Sequence, residues 1–65
     1  MDYSKRIYIN KLKKRTNADL VSFAAGSRFY ANHEEDIKKS GNARINVRNI
    51  SGILSSRGVT LYDWI

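Results

Sequence analysis

The sequence predicts an α+β fold, a small, mostly antiparallel sheet with two helices packed on one face, and three observations carry that expectation. Residues 6–12 and 59–65 alternate apolar and polar side chains, the period of a half-buried strand. Between them, residues 17–29 place apolar side chains at helical spacing. Residues 43–56, ARINVRNISGILSS, combine both patterns and read as a strand turning directly into a short helix. Sixty-five residues make one domain, 1–65. Such a chain buries only about 60% of the surface its unfolded form exposes.

In chain order, Ile7, Ile9 and Leu12 fall on one side of the first expected strand and Arg6, Tyr8 and Asn10 on the other. The KLKKRT segment is too charged to bury and reads as a loop. Thr16 or Asn17 then caps a helix, with Asp19 in its first turn and Arg28 in its last, the signs that suit the helix dipole. Its apolar face comprises Leu20, Val21, Ala24, Ala25 and Phe29, extended by Ala18 and Phe23. Gly26 costs about 1 kcal/mol there and implies close packing or an early end.

Tyr30 to Gly41 admits two readings. Asn32 with Glu35 resembles a capping box, and Lys38, Lys39 and Gly41 suit the end of a helical turn or two. Alternatively the segment is a charge-protected edge strand with Ile37 as its apolar contact. Next, Ile45 and Val47 alternate with Arg44, Asn46 and Arg48, Asn49 stands as a cap, and Ile50, Ile53 and Leu54 follow on one helix face. Gly58 suits a turn with positive φ. Val59 to Ile65 is the expected terminal strand, with Trp64 and Ile65 either covering the body or contacting a partner.

The net charge is +6, and Lys5, Arg6, Lys11, Lys13, Lys14 and Arg15 provide half of the basic residues; Glu34, Glu35 and Asp36 are the acidic cluster. That balance favours acidic proteins, nucleic acid or anionic surfaces as partners. There is no cysteine, hence no disulfide and no thiolate metal site, and one histidine, His33, holds no metal alone. No apolar run matches a signal peptide or membrane span, so a soluble, unprocessed cytoplasmic protein without cofactor is expected.

INVRNISGILS resembles the strand and regulatory-serine helix of the histidine-containing phosphocarrier (HPr) family, and NADLVSFAAGSRF resembles that family's first helix. The resemblance, over residues 5–65, implies an open-faced β-sandwich with its last helix missing. It does not imply phosphocarrier activity. Where that family has its phosphorylatable histidine, this chain has Arg15-Thr16-Asn17-Ala18, and Asn49 replaces the regulatory serine. No nucleophile with a base partner and no phosphate-cradling glycine loop is visible, so no enzyme is expected.

Two functions follow as expectations. The family's docking surface, at the starts of both helices, maps onto Arg15, Asn17, Leu20, Asn49, Ile50 and Leu54, and with the neighbouring Arg48 it suits an acidic, partly apolar protein partner. A small regulator from a phage or mobile element that occupies a host protein fits that reading. The alternative is nucleic-acid binding through Lys11, Lys13, Lys14, Arg15, Arg44 and Arg57. The run ILSSRGVTLYDW has some likeness to a helix-turn-helix, though Leu61 to Ile65 is short for a recognition helix. An uncovered sheet face exposing Tyr8, Tyr62 or Trp64 also allows a homodimer.

Overall fold

The computed structural model describes residues 2–59 of the chain, and among these residues there are three helices and no strand. They are α1 (Ile9–Leu12), α2 (Asn17–His33) and α3 (Ile37–Ser56). The α+β expectation is therefore corrected to an all-helical fold: an antiparallel α2–α3 hairpin, closed on one side by the extended N-terminal arm and by the single turn of α1.

The helix predicted from residue 17 forms for the reasons its sequence suggests. Thr16 is extended (φ −69°, ψ 162°) and its hydroxyl accepts the Asp19 backbone N–H at 3.2 Å, an N-cap. The helix runs through Gly26 and past Arg28, ending at His33. The Tyr30–Gly41 segment is not an edge strand. Its first residues finish α2, residues 34–36 form the connection, and its last residues open α3. The cap of α3 is Asp36 rather than Asn32, its carboxylate accepting from the backbone N–H of Lys38 at 2.9 Å and of Lys39 at 3.2 Å.

The largest correction concerns residues 43–56, which lie wholly inside α3. The apparent strand alternation of Ile45 and Val47 is misleading because the buried position between them is polar. Asn46 is fully buried, while Ile45 is 36% exposed. Ala43, Asn46, Ile50, Ile53 and Leu54 are buried along α3, a continuous helical stripe once the asparagine is included. Asn49 is mid-helix, not a cap. The segments that carried the phosphocarrier resemblance thus belong to a helical hairpin, and the open-faced sandwich it implied is absent from the described residues.

The expected first strand is likewise an arm leading into α1. Ile7 is half-buried and Leu12 buried, whereas Ile9 is largely exposed. The arm's polar groups are satisfied by side chains of α3 instead of by a neighbouring strand. The Ile7 N–H donates to Asn46 Oδ1 at 2.8 Å, Asn46 Nδ2 donates to the Lys5 carbonyl at 2.7 Å, and Asn42 Nδ2 donates to the Ser4 carbonyl at 3.0 Å. Two asparagines four residues apart on one helix face thereby replace a strand partner.

The main core sits where the arm, α1, the start of α2 and the end of α3 meet: Leu12, Leu20, Phe23, Ala24, Ile50, Ile53 and Leu54, with Tyr3, Ile7, Val21 and Val59 packed at its edge. Along the rest of the hairpin the buried residues are Ser27 and Ala31 of α2 and Ala43 and Asn46 of α3, all small but the asparagine. α3 ends in a Schellman turn. Gly58 takes φ 80°, its N–H donates to the Ser55 carbonyl at 3.1 Å, and the Val59 N–H donates to the Leu54 carbonyl at 2.9 Å. The positive φ expected of Gly58 is observed. The expected terminal strand, with Tyr62, Trp64, Ile65 and the helix-turn-helix likeness, lies outside the described residues beyond Val59.

Candidate functional site

The chemistry most concentrated on the surface is positive charge. All twelve lysines and arginines are exposed. They are not spread evenly, because the fold gathers Lys5 and Arg6 of the arm, the basic loop and the end of α3 at one pole, while Arg28, Lys38 and Lys39 lie towards the other. The acidic turn, Glu34 to Asp36, lies at the other end of α2, a helix of about 25 Å by its 1.5 Å rise per residue.

Arg57 organises the basic pole. Its guanidinium donates from Nη1 to the Arg15 carbonyl and to Asn17 Oδ1, both at 2.9 Å, and from Nη2 to the Lys13 carbonyl at 2.7 Å. These carbonyls leave α1 without a following turn of helix to satisfy them, so Arg57 supplies the missing donors. The turn carrying Lys13, Lys14 and Arg15 is thereby tied to the C-cap of α3. Arg57 is a positioning residue here; much of its hydrogen-bonding capacity is spent within the chain.

Beside this turn the arm crosses α2 and leaves a groove of about 390 Å³. Lys5, Arg6, Lys11 and Arg15 line it with the carboxylates of Asp2 and Asp19; Ile7, Leu12, Leu20 and Phe23 contribute apolar surface, and Tyr8 stands at the rim, 77% exposed. Asp2 is turned inward on its own segment, accepting from the Ser4 backbone and hydroxyl, and the Ser4 hydroxyl contact foremost holds its carboxyl below the usual range. Tyr8 is fixed through its backbone. Its carbonyl accepts from Lys11 at 3.0 Å and Leu12 at 3.2 Å, and the preceding residue is clamped by Asn46.

The residues expected to bind a protein partner are not brought together as one surface. Leu20, Ile50 and Leu54 are core residues with at most 1% exposure, so a partner reaches them only by opening the fold. Arg15 and Asn17 hold Arg57, Asn49 is half-buried in mid-helix, and Arg48 is exposed on α3. Of the expected nucleic-acid contacts, Lys11 and Arg15 line the groove, Lys13 and Lys14 flank it on the tethered turn, and Arg44 stands apart on α3. The six contacts expected from the sequence leave out Lys5, Arg6 and Tyr8. The two cations were visible as part of the basic cluster, but only the arm's path over α2 sets them opposite Lys11 and Arg15.

A second surface lies at the acidic end. Tyr3, Gly26, Phe29, Tyr30, His33 and Glu34 line a shallower groove of about 430 Å³. Phe29 stacks on His33 at 4.1 Å between centroids, and His33 Nδ1 is 2.8 Å from the Phe29 carbonyl. Among the described residues no group of three His, Cys, Asp or Glu is placed to hold a metal ion, and no helix is long and apolar enough to cross a membrane.

No protein-family model matches the chain. No curated protein and no solved structure matches it either.

Proposed function

We propose that the chain is a small non-catalytic nucleic-acid-binding module whose contact surface is the arm–α1–α2 groove. The observation that supports this reading is the convergence of Lys5, Arg6, Lys11 and Arg15 on one groove, beside Lys13 and Lys14 on a turn braced by Arg57. A polyanion with regularly spaced phosphates satisfies such an array, releasing a counterion for each phosphate neutralised. With four groove contacts, the logarithm of affinity falls against the logarithm of salt with a slope of about −3. Titration of a fluorescent oligonucleotide by anisotropy at several salt concentrations tests this. Lys11→Glu and Arg15→Glu each weaken binding and flatten the slope by about one. Affinity that is indifferent to salt sinks the reading.

Protein docking is supported by a separate observation at the other end of the molecule. Phe29 is 67% exposed and Ile37 is 87% exposed, and they flank the acidic turn. A basic, partly apolar partner suits that end. Affinity capture after nuclease treatment tests it. A protein retained by the native chain but lost with Phe29→Ser supports docking, and one retained equally by both argues against it.

A further inference from the structure

We propose that the groove takes single-stranded nucleic acid, one unstacked base lying on the Tyr8 ring while the strand's phosphates pass Lys5, Arg6, Lys11 and Arg15. The inference rests on the nucleic-acid reading and narrows its ligand. A double helix offers phosphates at its surface and keeps its base faces stacked inside. It has no use for an exposed aromatic ring such as that of Tyr8. A single strand presents both a charged backbone and free base faces, and this groove presents a match for each. Tyr8 is suited to stacking because its ring is 77% exposed while its backbone is held on both sides, by the Asn46 clamp on Ile7 and by the α1 hydrogen bonds to its own carbonyl. Little conformational freedom remains to be lost in the backbone when a base arrives. Asp19, on the first turn of α2, adds a carboxylate to the groove, an acceptor for base amino groups and a poor neighbour for a second phosphate strand. The alternative of a helix inserted in the major groove is not served by α1, which is a single turn of four residues.

The test compares three fluorescent probes at one fixed salt concentration by anisotropy: a mixed-sequence single strand of about twelve nucleotides, its duplex, and an abasic strand of the same length. The single strand is expected to bind more tightly than the other two. Tyr8→Ala lowers single-strand affinity by roughly five- to a hundredfold and leaves duplex and abasic binding unchanged, while Tyr8→Trp retains single-strand binding. The exposure of Tyr8 makes the fold indifferent to these substitutions, and an unchanged helical circular-dichroism spectrum verifies that. Duplex or abasic binding as tight as single-strand binding, or a Tyr8→Ala loss equal for all three probes, overturns the single-strand proposal and leaves nucleic-acid binding standing. Failure of all three probes to bind overturns both.

Discussion

Asn46 shows how much one side chain can decide. Fully buried, it accepts from one arm residue and donates to another, so its amide does for the arm what a strand partner does in a sheet. Asn46→Ala strands the Ile7 N–H and the Lys5 carbonyl, and the expected loss is about 2–3 kcal/mol in the urea midpoint analysis, with the arm's amides losing exchange protection. Asn42→Ala, which frees only the Ser4 carbonyl at a half-buried site, is expected to cost about 1 kcal/mol. Ser27 predicts the opposite sign. Its hydroxyl is fully buried and has no hydrogen-bond partner among the described residues, so Ser27→Ala removes a desolvated group without breaking a contact. An unchanged or higher urea midpoint is expected, and a clear drop would count against that account. Tyr30 provides a titration. Its hydrogen bond to the Glu34 carboxylate pushes the phenol up to about 12, while Glu34, held first by the Asp36 backbone N–H and then by Tyr30, lies below the usual carboxylate range. The stability linked to Tyr30 is complete below the ordinary phenol pKa of about 10 and disappears as pH rises to about 12; that linked to Glu34 is present at neutral pH and disappears as pH falls through its lowered value. The phenolate absorbance difference between the native chain and Tyr30→Phe should titrate near the raised value. Glu34→Gln should move it back down.

At the scale of elements, α2 meets the arm at Gly26. A Cβ built there would lie 2.5 Å from Tyr3 Cζ and 2.8 Å from Cε1, so the ring occupies the space that any larger residue needs. Tyr3 also packs against Phe23 at 5.3 Å and Tyr30 at 6.2 Å between ring centroids. Gly26→Ala therefore gains about 1 kcal/mol of helix propensity and displaces the Tyr3 ring. In a Tyr3→Ala background only the gain remains. A double-mutant cycle by thermal melting should show Gly26→Ala stabilising in that background and neutral or destabilising in the native chain, and additivity would refute the contact. Gly26 also marks how far the elements were legible. α2 could be read because its cap, charges and apolar spacing agree, and Gly26 itself pointed to close packing. α3 could not, because its buried stripe passes through Ala43 and Asn46, and an asparagine counts as surface until the arm that it binds is known. Ile7 has the alternation of a strand residue, but its partner is a side chain 39 positions away, a separation that no local pattern reports. The same holds for the site. Its cations were plain in the sequence, whereas the bracing by Arg57, 42 residues from Arg15, and the rim position of Tyr8 depend on tertiary closure. The spacing of Phe29 places it on the apolar face, yet α2 is buried through Leu20, Phe23, Ala24, Ser27 and Ala31, and Phe29 falls outside that stripe.

For the molecule as a whole, a body of 33 × 24 × 16 Å carries twelve exposed cations, and six of them, Lys5, Arg6, Lys11, Lys13, Lys14 and Arg15, fall within eleven positions of the chain, so that neighbouring charges there are roughly a Debye length apart, about 10 Å at 0.1 M salt. Mutual repulsion then opposes folding at low salt, and Tm should rise with sodium chloride, by about 4–8 °C for each kcal/mol of repulsion screened. A falling Tm would mean that attractive pairs outweigh the repulsion. Screening and binding can be separated by the anion used. Screening depends on ionic strength alone, whereas a groove that holds phosphate gains stability from the phosphate ion itself. At matched ionic strength, phosphate should therefore raise Tm more than chloride does. The excess should vanish in Arg15→Glu, which lines the groove, and survive in Lys13→Glu/Lys14→Glu, whose residues lie outside it. The second variant should instead show a weaker dependence on chloride, because it relieves the repulsion without touching the groove. If the phosphate excess is lost equally in both variants, the basic pole acts as a diffuse field and the groove has no phosphate site of its own.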